Sequence, residues 1–291
     1  MTDFDLQATI ARLFVYPVKS CAGVELPEAL LTETGLEFDR AWMVVDENDE
    51  FVTQRQLPRM ALVRPQMKHT EVVLRAPGML ALHLAFDRVE QPRRVRVWKD
   101  EVDAYDMGDI AAQWFSDFLS EPGRPRRLRL VRFDPEVRRL SSLKWTGGIE
   151  ALNQFADGYP LLVASEGSIA ELNERLAQAG HGAVGIERFR PNIVLAGIES
   201  HDEDRVEMLH VATGEGEARL QPVKPCTRCP IPDIDPATAE SSPEVNDMLR
   251  TYRSDVRVDG AVTFGMNCIV IQGVEQMLKV GQAVGANYRF E

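Results

Sequence analysis

Apolar residues in this chain alternate or gather in short runs, and only rarely recur at helical spacing. Residues 8–18 (ATIARLFVYPV) are apolar and β-branched with partial alternation, which predicts a strand ending at Pro17. A second strand is predicted over 25–32, with Thr34-Gly35 as the turn that follows. From Arg40 to Val45 the chain is mostly apolar, the pattern of a strand covered on both faces. Asp46-Glu47-Asn48-Asp49-Glu50 is a polar hairpin tip from which Phe51–Arg55 returns. Short strands are predicted at 62–67, 71–75, 80–85 and 94–98, with Pro77-Gly78 as a turn between two of them. The period then changes. Apolar residues at 110, 111, 114, 115, 118 and 119 share one face of a helix, with Asp109 as its expected N-cap and the aromatic stripe reading as core.

Glu121-Pro122-Gly123-Arg124-Pro125 punctuates the chain and marks a candidate boundary, giving a first domain over 1–123 and a second over 124–291. Leu128–Phe133 and Tyr159–Ala164 read as strands, and 141–158 as a loop holding at most one short helix. Ser165 onward opens a helix in which Ser168 and Glu171 have capping-box spacing and Gly180 is the stop. Arg188–Leu195 runs from a charged loop into a strand. Pro191 is expected to hold Arg190 extended, so that Arg190 and Asn192 point the same way. Strands follow at 206–210, 217–222, Val262–Ile271 (with Cys268 in the core) and Lys279–Ala283, and a helix over Glu244–Tyr252. Strands clearly outnumber helices, which predicts a β-rich α+β chain.

Composition narrows the function classes. The 291 residues are 44% hydrophobic and 27% charged, ordinary for a globular chain, and the net charge of −12 argues against general nucleic-acid or anionic-membrane binding. It allows a docking partner with a basic face. Arg124, Arg126, Arg127 and Arg129 form a local basic patch that reads as a solvated face. The start, Met1-Thr2-Asp3-Phe4-Asp5, is acidic and lacks a signal-peptide pattern, and no run of roughly 18 apolar residues predicts a membrane helix. Four cysteines in a chain of this length do not make a disulfide framework, so the expectation is a cytoplasmic protein with reduced thiols.

The densest chemistry lies in Lys224-Pro225-Cys226-Thr227-Arg228-Cys229-Pro230-Ile231-Pro232-Asp233. Its prolines predict a rigid loop rather than a helix or a central strand. Cys229 directly follows a guanidinium, and a nearby cation favours the thiolate, which is the nucleophile and the metal ligand. Four readings stand on this stretch alone: buried structural thiols, a structural zinc site, a redox pair, and one cysteine ligating a metal cofactor with Cys226 as its neighbour. Elsewhere, Lys19-Ser20 reads as a turn carrying a cation and a hydroxyl, and Arg40 as an ion-pair partner of Asp39 or an anion binder. Ser165 lies at a helix N-terminus, where anions also bind. Arg190 with Asn192 could hold a phosphate or a polar ring edge.

Taken in order, Tyr16-Pro17-Val18-Lys19-Ser20-Cys21, Gly35-Leu36 through Asp39-Arg40, Asp157-Gly158-Tyr159-Pro160-Leu161-Leu162 with Ser165-Glu166, Arg188–Asn192, Lys224–Cys229 and Phe264-Gly265 resemble the MOSC superfamily. Within it the chain is most similar to two-domain proteins with an N-terminal MOSC-associated domain, such as the mitochondrial amidoxime-reducing components and bacterial YcbX-type proteins. The resemblance implies a MOSC β-barrel in the second half, a smaller β-rich domain in the first, and a molybdenum cofactor with a pterin dithiolene. It makes Cys229 the metal-ligating, catalytic thiolate. It assigns Lys19, Ser20, Arg40, Ser165, Arg190, Asn192, Thr227 and Arg228 to the pterin and its phosphate. The implied activity is reduction of N-hydroxylated compounds such as amidoximes and hydroxylamines. Electrons would come from a separate ferredoxin-, flavodoxin- or flavin-reductase-type protein, since the chain ends at Glu291 with no further cysteines. The alternatives are a sulfur carrier holding a persulfide on Cys229, which would need a desulfurase partner because no pyridoxal-phosphate domain is present, and a cofactor-storage protein without turnover.

Overall fold

A computed structural model describes residues 4–289, so the acidic start read at Met1, Thr2 and Asp3 lies outside the described residues. Seven strands close into a barrel: β1 (Leu6–Val15), β2 (Leu161–Ser165), β3 (Ile193–Ala196), β4 (Val206–Thr213), β5 (Gly216–Thr227), β6 (Ala261–Gln272) and β7 (Ala283–Tyr288). Their order is β2-β3-β1-β7-β4-β5-β6, and β6 returns to β2 through Val163↔Met266. Only the β2–β3 pair in this ring is parallel. A parallel pair needs a crossover, which the helix α2 (Glu166–Gln178) supplies. Along β1, Leu6, Ala8 and Ile10 are buried and the residues between them exposed, so alternation fills the barrel from a strand at the start of the chain.

Of the other strands of the first half, Val24–Leu26 pairs with β1, and Glu28–Thr32 and Gly35–Leu36 add Leu31 and Leu36 to the barrel core; the rest form separate sheets. Trp42–Val45 is paired with Arg129–Phe133, which pairs with Asp100–Asp106 and then with Gln91–Val97. All four residues of Trp42–Val45 are buried, and the reason is visible in the clusters they join. Trp42 and Val44 pack with Trp114, Phe115 and Phe118 of the helix α1 (Asp109–Leu119), while Met43 and Val45 pack with Phe133 and Phe155. A separate meander links Arg64–Met67, Glu71–Arg75 and Leu82–Ala85.

Several expectations need correction. Asp109 is not the N-cap of α1; Gly108 holds that position and Asp109 pairs with Arg129. Ile110, counted on the apolar face, is 80% exposed. The cap of α2 is Ser165 rather than Ser168, because Ser165 Oγ accepts the Ser168 amide at 3.1 Å. The strand Asp100–Asp106 was not anticipated, since its charged positions alternate with only small or short apolar ones. At the other end, the Lys279–Ala283 strand is instead a turn between Met277–Lys279 and β7.

The stretch before the cysteines is also not a loop: β5 runs unbroken through Pro222, Pro225 and Cys226 to Thr227. The prolines are accommodated because the β5–β6 register shifts between Pro222 and Lys224 and again between Pro225 and Thr227, so neither disrupts a regular ladder. The loop begins only at Arg228.

Candidate functional site

A cavity of about 110 Å³ opens where the end of β5, the segments before β2 and β3, and the loop after β1 converge. Eight of the nine expected site residues line it: Lys19, Ser20, Arg40, Arg190, Asn192, Thr227, Arg228 and Cys229, with Cys226 beside them. A larger cavity of about 490 Å³ adjoins it and shares Arg190 and Ile231.

The loop after β1 is fastened to the strand Trp42–Val45 by backbone bonds. Lys19 N–H donates to Trp42 O, Trp42 N–H to Pro17 O, and Arg40 N–H to Tyr16 O, at 2.8–3.0 Å. This brings Lys19 and Arg40 together although 20 residues, half of them in strands, separate them. Lys19 is 5% exposed, and its Nζ donates to Phe155 O at 2.8 Å and to Asp157 Oδ1 at 2.5 Å. Burial lowers the Lys19 ammonium pKa and Asp157 opposes that shift. Desolvation would raise the Asp157 carboxyl; the Lys19 charge, with hydrogen bonds from Lys19 and Trp98, outweighs it and holds the group below the usual carboxylate range. The Asp157 side chain is 65% exposed, so its contact with Lys19 carries most of that effect.

Arg40 Nη1 donates to Asp39 Oδ2 at 2.5 Å and to Asn192 Oδ1 at 3.1 Å, and its Nη2 to Arg190 O at 3.2 Å. Arg190 is not extended as expected. It caps the short 3₁₀ turn Ile186–Phe189 in the left-handed region (φ 60°, ψ 43°), because its N–H closes onto Glu187 O before Pro191 begins the next segment. Its Nη1 donates to Cys21 O at 2.6 Å, and its Nη2 is buried with no hydrogen-bond partner. Both guanidiniums lie over the Tyr16 ring, Arg40 at 4.4 Å and Arg190 at 4.2 Å from its centroid. Burial, reinforced by repulsion from Arg40, pulls the Arg190 pKa down to about 10. Asn192 spends its amide on structure: Oδ1 accepts from Arg40 and from Leu162 N–H, and Nδ2 donates to Phe14 O. It therefore positions Arg40 rather than offering a free group.

Arg228 also departs from expectation. Its Nη1 meets Cys226 Sγ at 2.9 Å, not Cys229, because residues two apart on an extended segment face the same way and neighbours do not. Arg228 Nη2 donates to Phe189 O at 2.9 Å, and Nε is buried without a partner. Cys229 is held through its backbone: Asn246 Nδ2, from the helix α3 (Glu244–Arg250), donates to its carbonyl at 3.1 Å and to Asp233 Oδ2 at 2.7 Å.

Ser165 is elsewhere. It is fully buried at the N-terminus of α2, where Oγ donates to Glu203 Oε2 at 2.9 Å and shares a 2.7 Å contact with Ser168 Oγ. Three groups that received no role from the sequence do belong to the cavity or its frame, Tyr16 between the arginines, Asp157 on Lys19 and Trp98 on Asp157, while Asp39 pairs with Arg40 as one of the two sequence readings had it. Tyr16, Asp39 and Asp157 fell within motif stretches; nothing in the sequence marked Trp98.

Four cations (Lys19, Arg40, Arg190, Arg228) face two carboxylates (Asp39, Asp157), an excess of two positive charges. Together with the unpartnered Arg190 Nη2 and Arg228 Nε, this charge balance suits an anion. Three of the residues, Ser20, Arg40 and Arg190, hold positive φ without being glycine (65°, 51° and 60°), a backbone cost tolerated mainly where geometry matters. The donor set fits a phosphate-bearing cofactor with a soft metal. Guanidinium forks match phosphate, and the Cys229 thiol can supply one soft ligand. Among the described residues no group of three or more His, Cys, Asp or Glu could hold a metal ion, so a metal here would bring most of its own ligands.

Comparison with known proteins agrees with this architecture. Residues 7–122 match the family model of the MOSC N-terminal beta barrel domain, and residues 151–285 match that of the MOSC domain. Mitochondrial amidoxime-reducing component 1 of Mus musculus is 34% identical over 254 residues, 84% of this chain and 71% of the relative. Mitochondrial amidoxime reducing component 2 of Rattus norvegicus is 32% identical over 256 residues, 84% and 72% of the two chains. The molybdenum cofactor sulfurase of Bos taurus is 28% identical over 267 residues, 86% of this chain but 30% of that protein.

Proposed function

The chain belongs to the MOSC-domain family, and from that premise we propose that it is a molybdenum-cofactor-dependent reductase of N-hydroxylated compounds, supplied with electrons by a separate transfer protein. The observation that carries this reading is the convergence of Cys229 with four cations, two of them holding unpartnered buried donors, on one cavity. Among the relatives, the name amidoxime-reducing component supports the reaction, and the name molybdenum cofactor sulfurase supports only an association with that cofactor.

Each residue then has a task. Arg40, Arg190 and Arg228 would hold the phosphate and pterin edge, and Tyr16 and Asn192 keep Arg40 and Arg190 in place. Ser20 and Thr227 offer hydroxyls on the cavity wall, and Lys19 adds a point charge. Cys229 would ligate the metal. When bound, the cofactor supplies the two-electron redox chemistry, in which an N–OH compound with two electrons and two protons becomes the amine and water. Asp157 is ionised at neutral pH, so it accepts hydrogen bonds from a substrate rather than donating its proton.

The test is elemental analysis for molybdenum with pterin fluorescence, on protein from a cofactor-competent host, followed by turnover of an amidoxime with a reduced donor. Stoichiometric molybdenum with turnover supports the reductase. A labile sulfur on Cys229 without molybdenum replaces it with a sulfur carrier. Molybdenum with no turnover of any N-hydroxylated compound leaves a binding or storage protein.

A further inference from the structure

The strands Gln91–Val97 and Asp100–Asp106 are joined by a two-residue turn, Trp98-Lys99. Trp98 holds φ at 56°, in the left-handed region that suits glycine and asparagine. A bulky side chain is disfavoured there, and a two-residue hairpin turn is more often built from glycine, asparagine or aspartate. The residue is not kept for the core, since it is 43% exposed. Its Nε1–H donates to Asp157 Oδ1 at 3.2 Å, the same oxygen that accepts Lys19 Nζ. The Arg55 guanidinium covers one face of the indole, 4.8 Å from its centroid, and the Phe51 ring packs against it at a tilt 5.0 Å away, so only the uncovered part of the ring can meet a ligand. Asp157 and Lys19 line the cavity that holds Cys229, and Trp98 touches that lining from outside. Both contacts to Asp157 fall on Oδ1; among the described residues Oδ2 has no hydrogen bond.

We propose that Trp98 and Asp157 form a substrate-selecting rim: the indole carries the flat aromatic part of an aryl amidoxime, and the open Asp157 oxygen accepts its N–H or O–H. The proposal rests on the reductase reading. An aryl amidoxime has a planar ring to stack and hydrogens to donate, whereas an alkyl amidoxime has only the latter, so the rim discriminates between them. The indole N–H also sets the Asp157 carboxylate, which gives Trp98 a second, ring-independent contribution.

Three proteins test this: wild type, Trp98→Phe and Trp98→Gly, the last also relieving the left-handed backbone so that folding is preserved. In Trp98→Gly, kcat/KM for benzamidoxime should fall about tenfold, chiefly through KM, with less than about a threefold loss for acetamidoxime. Trp98→Phe should keep most of the aryl preference and lose a few-fold on both substrates, roughly the worth of one hydrogen bond. An unchanged ratio of the two substrates in Trp98→Gly overturns the proposal. A second readout needs no turnover. The four tryptophans give four indole N–H resonances, and Trp98→Phe identifies one of them. With no electron donor present, that resonance should shift more with benzamidoxime, which also meets the indole, than with acetamidoxime, which reaches only Asp157; no shift, or equal shifts, overturns the rim. A shift without turnover in wild type removes the reductase reading alone, and turnover with an unchanged ratio removes the rim alone.

Discussion

Two buried polar clusters lie at opposite ends of β2, and they are built from similar parts to different ends. At its start, Leu161 and Leu162 border the cavity of Lys19, Arg40, Arg190 and Arg228. At its finish, Ser165 joins Ser168 and Glu203 at the N-terminus of α2. The second cluster is closed: Glu203 accepts from both hydroxyls at 2.9 and 2.6 Å, Ser165 Oγ accepts the Ser168 amide, and Ser168 Oγ accepts the His201 amide. Its neighbour His201 has ring nitrogens without hydrogen bonds, but burial and Arg253 pull its pKa down to about 4, so it stands uncharged. The first cluster is open. It has more cations than carboxylates, two buried guanidinium nitrogens without partners, and three strained non-glycine residues. Burial of polar groups, or a buried nitrogen without a partner, therefore does not distinguish the two clusters; the excess of positive charge does.

The largest effect expected from this contrast concerns the thiols. If Cys229 ligates the metal as proposed, Cys229→Ala should lose nearly all bound molybdenum and activity, about a hundredfold or more, whereas Cys226→Ala should retain much of both. The arginine contact complicates this pair, since Arg228 Nη1 sits on Cys226. Equal loss of metal in the two variants would assign the open cluster to the cysteine pair as a unit. Next in size is Arg190→Ala, which removes both an unpartnered donor and one face of the Tyr16 stack. Cofactor retention on gel filtration should weaken by roughly tenfold to a hundredfold, the worth of one lost charge-assisted hydrogen bond. Retention equal to wild type would mean that the charge excess has no ligand to serve.

Both predictions use residues that the sequence made visible, and the reason is local. Lys19-Ser20, Arg40, Arg190–Asn192 and Thr227–Cys229 sit where strands end, flanked by proline, glycine or charged residues, so each motif announces its own turn. The helix α1 was likewise legible from its period, and Trp42–Val45 from its unbroken apolar run. What the sequence withheld depends on partners far along the chain. β1 reads as a strand, but only its pairing with β3 and β7 makes it part of the barrel. The direction of Arg228 follows from β5 continuing through its prolines, which register shifts with β6 permit. Ser165 was misplaced because a serine where a strand meets a helix looks the same whether its hydroxyl meets a ligand or Glu203.

Glu203 gives the closed cluster its own signature. Burial, helped by Asp204, raises its pKa from 4.5 to about 7. The folded protein therefore keeps this proton through a range in which the unfolded chain has lost it. Stability from this group falls as pH rises from about 4.5 to 7, by an amount on the order of 3 kcal/mol or less, and does not return above that range. Glu203→Gln should remove the dependence, so the difference in unfolding free energy between variant and wild type should grow in favour of the variant from pH 5 to pH 8. A difference constant over that range would mean that the two serine hydroxyls offset the burial and keep the group an ordinary carboxylate. Molybdenum content should be the same in both proteins at every pH where both are folded.

The smallest effect separates the two clusters most directly. Ser165→Ala deletes the α2 cap and one hydroxyl on Glu203, so it should lower stability by about 1–2 kcal/mol. It touches no residue of the cavity lining, so molybdenum content and amidoxime turnover should match wild type at a temperature where both are folded. Urea unfolding and elemental analysis on one preparation read the two quantities together. Loss of stability with full molybdenum confines Ser165 to the helix cap. Loss of molybdenum at undiminished stability would reverse the comparison, because a residue with every hydrogen bond spent inside the fold would then be acting on the cofactor 25 residues ahead of the nearest cationic ligand in sequence, Arg190, and the closed cluster would have to open to let it.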